Sequence, residues 1–174
     1  MSNNKINNNN KELSARLMAV QAYYQALQNK TPARLLASEF LERGLETDEG
    51  EEIAAPHGGL FKKILFSLDE RSVEINEILN ANINKNEVPV IAIVVEEEEG
   101  EDQEEKPAPP PEKEIEPLLK SILLCGVCEL LAHQEIDAAL IINDYLNVTH
   151  AFYEKQQVSF VNGVLDKVAS LLRE

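Results

Sequence analysis

The stretch that decides the fold is SFVNGVLDKVA, residues 159–169. Its apolar positions recur at spacings of three and four, which predicts one buried face of a helix. The residues on that face are Val161, Val164, Leu165, Val168 and, just beyond the stretch, Leu172. Asn162 and Gly163 are predicted to interrupt this helix near its start. Because glycine in a helix interior costs about 1 kcal/mol relative to alanine, we expect a packing or contact reason for Gly163.

The same helical spacing recurs along most of the chain. Amphipathic helices are predicted at residues 11–28, about 31–43, around 60–68, from Ser72 through Leu79, and across 115–131 and 138–152. Thr31-Pro32 and Ser72 are typical of helix starts, Gly44 of a helix end, and Gly58-Gly59 of the entrance to the third helix. The last two stripes are wide, as in the central helices of a bundle. The predicted fold class is therefore all-α.

Length and composition indicate how the chain is organised. A chain of 174 residues is long enough for one domain with a single core. We predict a disordered, asparagine-rich tail at residues 1–10 and a single domain over 11–174. Within that domain we predict an N-terminal helical half at 11–85, an acidic and proline-rich insertion at 86–113, and a C-terminal helical half at 114–174.

The insertion differs in composition from the rest of the chain. Its β-branched run, residues 88–95, is predicted to be either an extended segment packed on the body or an edge strand. The eight acidic residues of 96–105 account for more than half of the net charge of -15, which argues against a simple basic nucleic-acid binder. Because 96–113 has few apolar side chains to offset ordering entropy, we predict that it is disordered.

Several classes of protein are disfavoured by the sequence. No apolar stretch approaches the roughly 20 residues of a membrane span, and the N-terminus lacks the apolar region of a secretory signal, so we expect a cytoplasmic location. The three histidines are scattered without a nucleophile motif or a phosphate-binding loop, so neither an enzyme nor a cofactor is expected. Cys125 and Cys128 have the C-x-x-C spacing of a redox or zinc site, with His133 nearby; the favoured interpretation is two reduced, buried cysteines.

Four collinear segments carry a resemblance to a known family. Residues 15–25, ARLMAVQAYYQ, are similar to an opening helix in which Ala-Val-Gln-Ala-Leu-Tyr follows an arginine-rich start. Residues 124–131, LCGVCELL, are similar to a Leu-Gly-Ala-Tyr-Glu-Leu-Leu helix, and residues 135–145 to an Ile-Pro-x-x-Val-x-Ile-Asn-Glu segment. Phe-Val-Asn-Gly at 160–163 completes the series. Together the segments resemble the NusB family of bacterial transcription antitermination factors.

The resemblance implies an all-helical bundle of two packed halves that acts without catalysis. Members bind the boxA element of nascent ribosomal RNA leaders together with the small-subunit ribosomal protein that doubles as NusE. This pair helps RNA polymerase to read through terminators. The family's RNA contacts, from the first helix and from the phenylalanine before Val-Asn-Gly, map to Arg16 and Phe160, and Lys11 could supplement Arg16.

The chain also departs from the family pattern. Leu13 and Ser14 stand where many members have arginine, Asp137 replaces a proline, and the insertion adds negative charge. Two alternatives therefore stay open: an RNA-binding accessory domain like that of ribosomal RNA cytosine methyltransferases, or a protein-interaction module that has lost RNA binding. At the level of residues, Phe160 could equally be a core side chain, and Arg16 and Lys11 ordinary solvated charges.

Overall fold

The fold is described here from a computed structural model, which covers residues 3–44, 55–84, 87–89 and 114–173, with the backbone alone for 3–10. All regular elements in these ranges are helical, which confirms the predicted all-α class. They are α1 (Asn3–Asn29), a 3₁₀ turn (Ala33–Leu36), α2 (Ala37–Arg43), α3 (Gly58–Glu70), α4 (Ser72–Asn82), α5 (Pro117–Ala132), α6 (Ala138–Phe152) and α7 (Lys155–Leu172). None of these helices combines the length and the apolar character needed to cross a membrane.

Helix α5 lies at the centre of the bundle. It packs against α1, α3 and α4 from the N-terminal half and against α6 and α7 from the C-terminal half. Every residue from Ser121 through Leu130 is buried, as the wide apolar stripe predicts. The two halves therefore share one hydrophobic core. Helices α1 and α7 both pack on α5 and, over the described residues, make no contact with each other.

Close packing of α5 on α7 depends on one glycine. A Cβ atom on Gly126 would lie 2.8 Å from Cδ2 and 3.0 Å from Cδ1 of Leu165. Leu165 is fully buried, so its side chain has little room to move away. Further along the same pair of helices, the Arg173 guanidinium donates hydrogen bonds to the carbonyl oxygens of the α5 end and the turn that follows it. These acceptors are Glu129, Leu130, His133 and Ile136.

The helix ends only partly follow the local sequence signals. Gly44 ends α2 with φ +72°, and its N–H donates to the Phe40 carbonyl, as predicted. The predicted Thr31 cap is wrong, because the Asp69 carboxylate of α3 accepts from the N–H groups of Ala33 and Arg34 instead. Ser72 is the first residue of α4 and not its cap, because α3 continues to Glu70 and leaves a single residue between the two helices.

Two segments differ from the prediction in extent. Helix α1 begins at Asn3, within the stretch predicted to be a disordered tail; once residues 11–29 are held in the core, adding helical residues in front of them is inexpensive. Helix α7 runs through Asn162 and Gly163 without the predicted interruption. A Cβ atom on Gly163 would meet nothing within 4 Å, so packing does not explain this glycine.

The predicted insertion falls almost entirely outside the described residues. Its first residues, 87–89, are described, and Val88 is part of the hydrophobic core with 5% exposure. This burial agrees with packing on the body for the start of the run, but Val88 lies in a bend directly after a turn and not in an extended segment. The predictions for 90–113 lie outside the described residues.

Candidate nucleic-acid interface

Arg16 is not on the surface. Its side chain has 0% exposure, and all three guanidinium nitrogens are hydrogen-bonded to carboxylates. Nε and Nη2 donate to the two oxygens of Glu129 at 2.9 Å each, and Nη1 donates to Oδ2 of Asp144 at 2.8 Å. In this conformation burial leaves the Arg16 guanidinium no exposed surface for a phosphate, and three of its five N–H donors are used by carboxylates. The direct contact of Arg16 with RNA stays a prediction.

Two more side chains complete this group of polar residues, which we call the Arg16 cluster: Arg16, Glu129, His133, Asp144 and Tyr145. The Tyr145 hydroxyl donates to Oε1 of Glu129 at 2.9 Å, and Nδ1 of His133 lies 3.4 Å from Oε2 of Glu129. Nε2 of His133 is buried and has no hydrogen-bond partner among the described residues. The cluster links α1, α5 and α6 across separations of 113 and 128 residues along the chain.

The pKa values of the two carboxylates in the cluster are shifted in opposite directions. Burial alone would raise the pKa of Glu129, but the hydrogen bond with His133 and the charge of Arg16 outweigh burial and lower it. Burial raises the pKa of Asp144, and the single bond to Arg16 does not offset that effect. The difference follows from the partners, because Glu129 has the hydrogen bond with His133 and two guanidinium nitrogens, whereas Asp144 has one guanidinium nitrogen. Burial also raises the pKa of Tyr145, so its hydroxyl stays a donor.

Phe160 lies beside an open groove between the end of α4 and the first half of α7. The groove has a volume of about 520 Å³. We call it the Phe160 groove, and its lining residues are Asn82, Asn84, Glu87, Gln156, Ser159, Phe160, Gly163, Val164 and Lys167. Phe160 itself is 9% exposed and belongs to the core cluster. It is therefore a core side chain that also borders a groove lined by amides, a hydroxyl, a carboxylate and an ammonium group.

Lys11 is exposed, as a phosphate contact requires, but it lies far from Phe160. Its carbonyl oxygen accepts from the N–H of His57, at the start of α3. Lys11 precedes Arg16, which meets the last turn of α5. Phe160 precedes Leu165, which meets the middle of α5. Because α5 and α7 run in the same direction, Phe160 lies beside the first half of α5, and the structure does not bring Lys11, Arg16 and Phe160 together.

The cysteine pair is part of the core. Cys125 and Cys128 are both fully buried, and Sγ of Cys128 lies 3.9 Å from the Ile64 carbonyl oxygen. Burial raises the pKa of Cys128 to about 12. His133, the third residue of the zinc interpretation, belongs instead to the Arg16 cluster. The described part of the chain holds no group of three or more potential metal ligands.

Sequence reasoning missed the partners of Arg16 and most of the groove lining. Glu129 could have been found, because a carboxylate inside the apolar run 121–130 must have a buried cationic or donor partner. Asp144 lies in the other wide stripe and carries the same signal. Asn82, the residue of α4 that lines the Phe160 groove, has no such signal, since asparagine at a helix end is common.

Comparison with known proteins agrees with this architecture. A family model described as the NusB family matches residues 107–170. A protein of Novosphingobium aromaticivorans named transcription antitermination protein NusB is 32% identical over 92% of this chain and 93% of its own length. Proteins with the same name from Hyphomonas neptunium and from Neisseria meningitidis serogroup B are each 28% identical over 91% of this chain, and over 89% and 90% of their own lengths.

Proposed function

Because this chain belongs to the NusB family, we propose that it is a transcription antitermination factor that binds boxA-like leader RNA together with the NusE-type ribosomal protein. The observation that carries the proposal is the 32% identity to a NusB protein along 92% of the chain. The protein acts as a non-catalytic adaptor, and RNA polymerase is an indirect partner through the assembled complex.

The Phe160 groove supports binding of a single RNA strand. Unstacked bases are recognised by aromatic side chains and by hydrogen bonds to their edges, and Asn82 and Gln156 bring amides to the groove. Lys167 supplies a cation for the RNA backbone. We therefore assign Phe160 to base contact and Lys11 to phosphate contact. Arg16 is not assigned to RNA contact, because its guanidinium is buried and paired with two carboxylates.

A strand that reaches both assigned residues must cover much of the molecule. Lys11 lies toward the C-terminal end of α5, and Phe160 lies beside its first half. A 16-residue helix is about 24 Å long. Contact with both residues therefore requires several nucleotides, which is consistent with a short linear RNA element and not with a single nucleotide ligand.

A basic protein partner would compensate for the acidic composition of this chain. With a net charge of -15, the protein attracts a basic ribosomal protein and speeds encounter with it, while phosphate contacts are few. Two weak RNA-binding surfaces held in one complex bind more tightly than either does alone. RNA affinity should therefore depend strongly on the ribosomal partner.

A gel-shift titration with boxA RNA tests the proposal, with and without the NusE-type protein. Phe160→Leu keeps an apolar side chain in the core but removes the aromatic face, so we expect affinity to fall by about 5- to 150-fold, the equivalent of 1–3 kcal/mol per stacked base. Phe66→Leu is the matched control, since Phe66 is an exposed phenylalanine on α3. Binding of the ribosomal protein without any RNA shift at low salt would favour a protein-interaction module instead.

A further inference from the structure

We propose that Arg16 is a positioning residue for RNA binding: through Glu129 and Asp144 it fixes the first half of α1, and thereby Lys11, against α5 and α6. This inference rests on the function proposed above, because Lys11 is its proposed phosphate contact. It replaces the direct contact that the family resemblance implies for Arg16. Nothing in the cluster itself needs to touch RNA.

The geometry of the Arg16 cluster is suited to this task. Two parallel N–H···O bonds between a planar guanidinium and one carboxylate fix both the distance and the relative orientation of the groups. The third nitrogen adds a bond to a different helix, α6. Arg16 therefore sets the rotation of α1 about its own axis as well as its separation from α5 and α6.

Lys11 depends on that rotation because it is carried by the same helix. It lies five residues before Arg16, about 7.5 Å along the helix axis. Its only described tether is the main-chain hydrogen bond from His57 to the Lys11 carbonyl oxygen. A main-chain bond at this point fixes the position of the backbone, while the direction of the Lys11 side chain follows the rotation of α1.

Burial of the cluster distinguishes a positioning role of Arg16 from direct contact between Arg16 and RNA. With Arg16, Glu129 and His133 at 0% exposure, a phosphate could reach the guanidinium only if α1 moved away from α5. A positioning role needs no such opening. The two roles also predict different behaviour when Lys11 is replaced in a protein that lacks the cluster.

The test is a set of double-mutant comparisons in the full chain. The triple variant Arg16→Met, Glu129→Gln, Asp144→Asn removes the paired charges together, so that no buried charge is left uncompensated and the variant can fold. Lys11→Ala is then introduced into wild type and into the triple variant, with Lys167→Ala at the Phe160 groove as the matched control. Circular dichroism checks folding, and RNA affinity is measured against salt concentration in the presence of the ribosomal protein.

If Arg16 positions Lys11, the effect of Lys11→Ala on RNA affinity should disappear when the Arg16 cluster is removed. In wild type, Lys11→Ala should lower the slope of log affinity against log salt by about 0.7, the value for one phosphate contact on a single strand. In the triple variant, Lys11→Ala should have no further effect, while Lys167→Ala should keep its full effect. If Lys11→Ala has the same effect in both backgrounds, the proposal is overturned.

Hydrogen exchange supplies a measurement that does not need RNA. Positioning predicts faster amide exchange at residues 11–16 in the triple variant, with α7 unchanged. Unchanged exchange at 11–16 would also overturn the proposal. Failure of the wild-type protein to bind boxA RNA would instead overturn the proposed function, and exchange would then still decide whether Arg16 positions α1.

Discussion

The Arg16 cluster, which joins α1, α5 and α6, and the Phe160 groove, which lies between the end of α4 and α7, are two polar sites that differ in access to water. In the cluster, an arginine and a glutamate have no exposed surface and are paired with each other. In the groove, amides, a hydroxyl and a lysine surround one nearly buried ring and remain open to solvent. The comparison teaches that a charged residue matching a family's RNA-binding motif can be buried in ion pairs, whereas polar groups open to solvent can surround a side chain of the core.

The largest expected effect comes from breaking the cluster. Glu129→Gln leaves the buried Arg16 charge with Asp144 alone, and removing one partner of a buried ion pair costs about 3–5 kcal/mol. Because one bond to Arg16 remains, we expect the lower end of that range in urea unfolding. Glu77→Gln, at an exposed position of α4, should change the unfolding free energy by less than about 0.5 kcal/mol. Equal effects of the two substitutions would contradict the buried pairing.

Gly126 of α5 and Gly163 of α7 should respond in opposite ways to substitution by alanine. Gly126→Ala places a Cβ atom against buried Leu165; overpacking costs about 1–3 kcal/mol, less the gain of about 1 kcal/mol in helix propensity, so stability should fall. Gly163→Ala has open space around it and should stabilise α7 by about 1 kcal/mol. Thermal unfolding measures both. An unchanged or raised stability for Gly126→Ala would show that Leu165 moves aside without cost.

A smaller expected effect is that the stability contributions of Glu129 and Asp144 depend on pH in opposite ways. The pKa of Glu129 is below its ordinary 4.5 in the folded state, so its contribution is present above pH 4.5 and is lost as pH falls through the folded pKa. The pKa of Asp144 is above its ordinary 3.8, so protonation stabilises the fold as pH falls through the folded pKa. Unfolding of each variant between pH 7 and pH 3 should show the cost of Glu129→Gln shrinking in acid and that of Asp144→Asn growing. The same trend in both variants would contradict the opposite pKa shifts of the two carboxylates.

The smallest effect on stability is expected at the groove. Lys167 is exposed, so Lys167→Ala should change the free energy of unfolding by less than about 0.5 kcal/mol. Its effect should appear in RNA binding, as a decrease of about 0.7 in the salt slope. Lys62→Ala is the matched control, since Lys62 is exposed on α3, which does not pack on α7. A loss of stability without a change in RNA affinity would place Lys167 with the core and not with the groove.

Much of the fold follows from local patterns, and less of the site does. Helical spacing predicts α3, α5 and α6 closely, because apolar stripes of that width have to be buried. The Thr31 cap was not predictable in this way, since its role is taken by Asp69, a residue 38 positions later. Arg16 illustrates the same limit. A motif gives its position in the chain, but its burial depends on Glu129 and Asp144, which are distant in sequence and close only in the fold.

The bonds from Arg173 to the end of α5 have a consequence for synthesis of the protein. The carbonyl oxygens of Glu129, Leu130 and His133 receive these donors from a residue made some 40 positions later. While the ribosome is still translating α6 and α7, the central helix lacks this closure, and Gly126 lacks the leucine that packs on it. The nascent chain should therefore gain its final resistance to proteases only once α7 and Arg173 have left the ribosome.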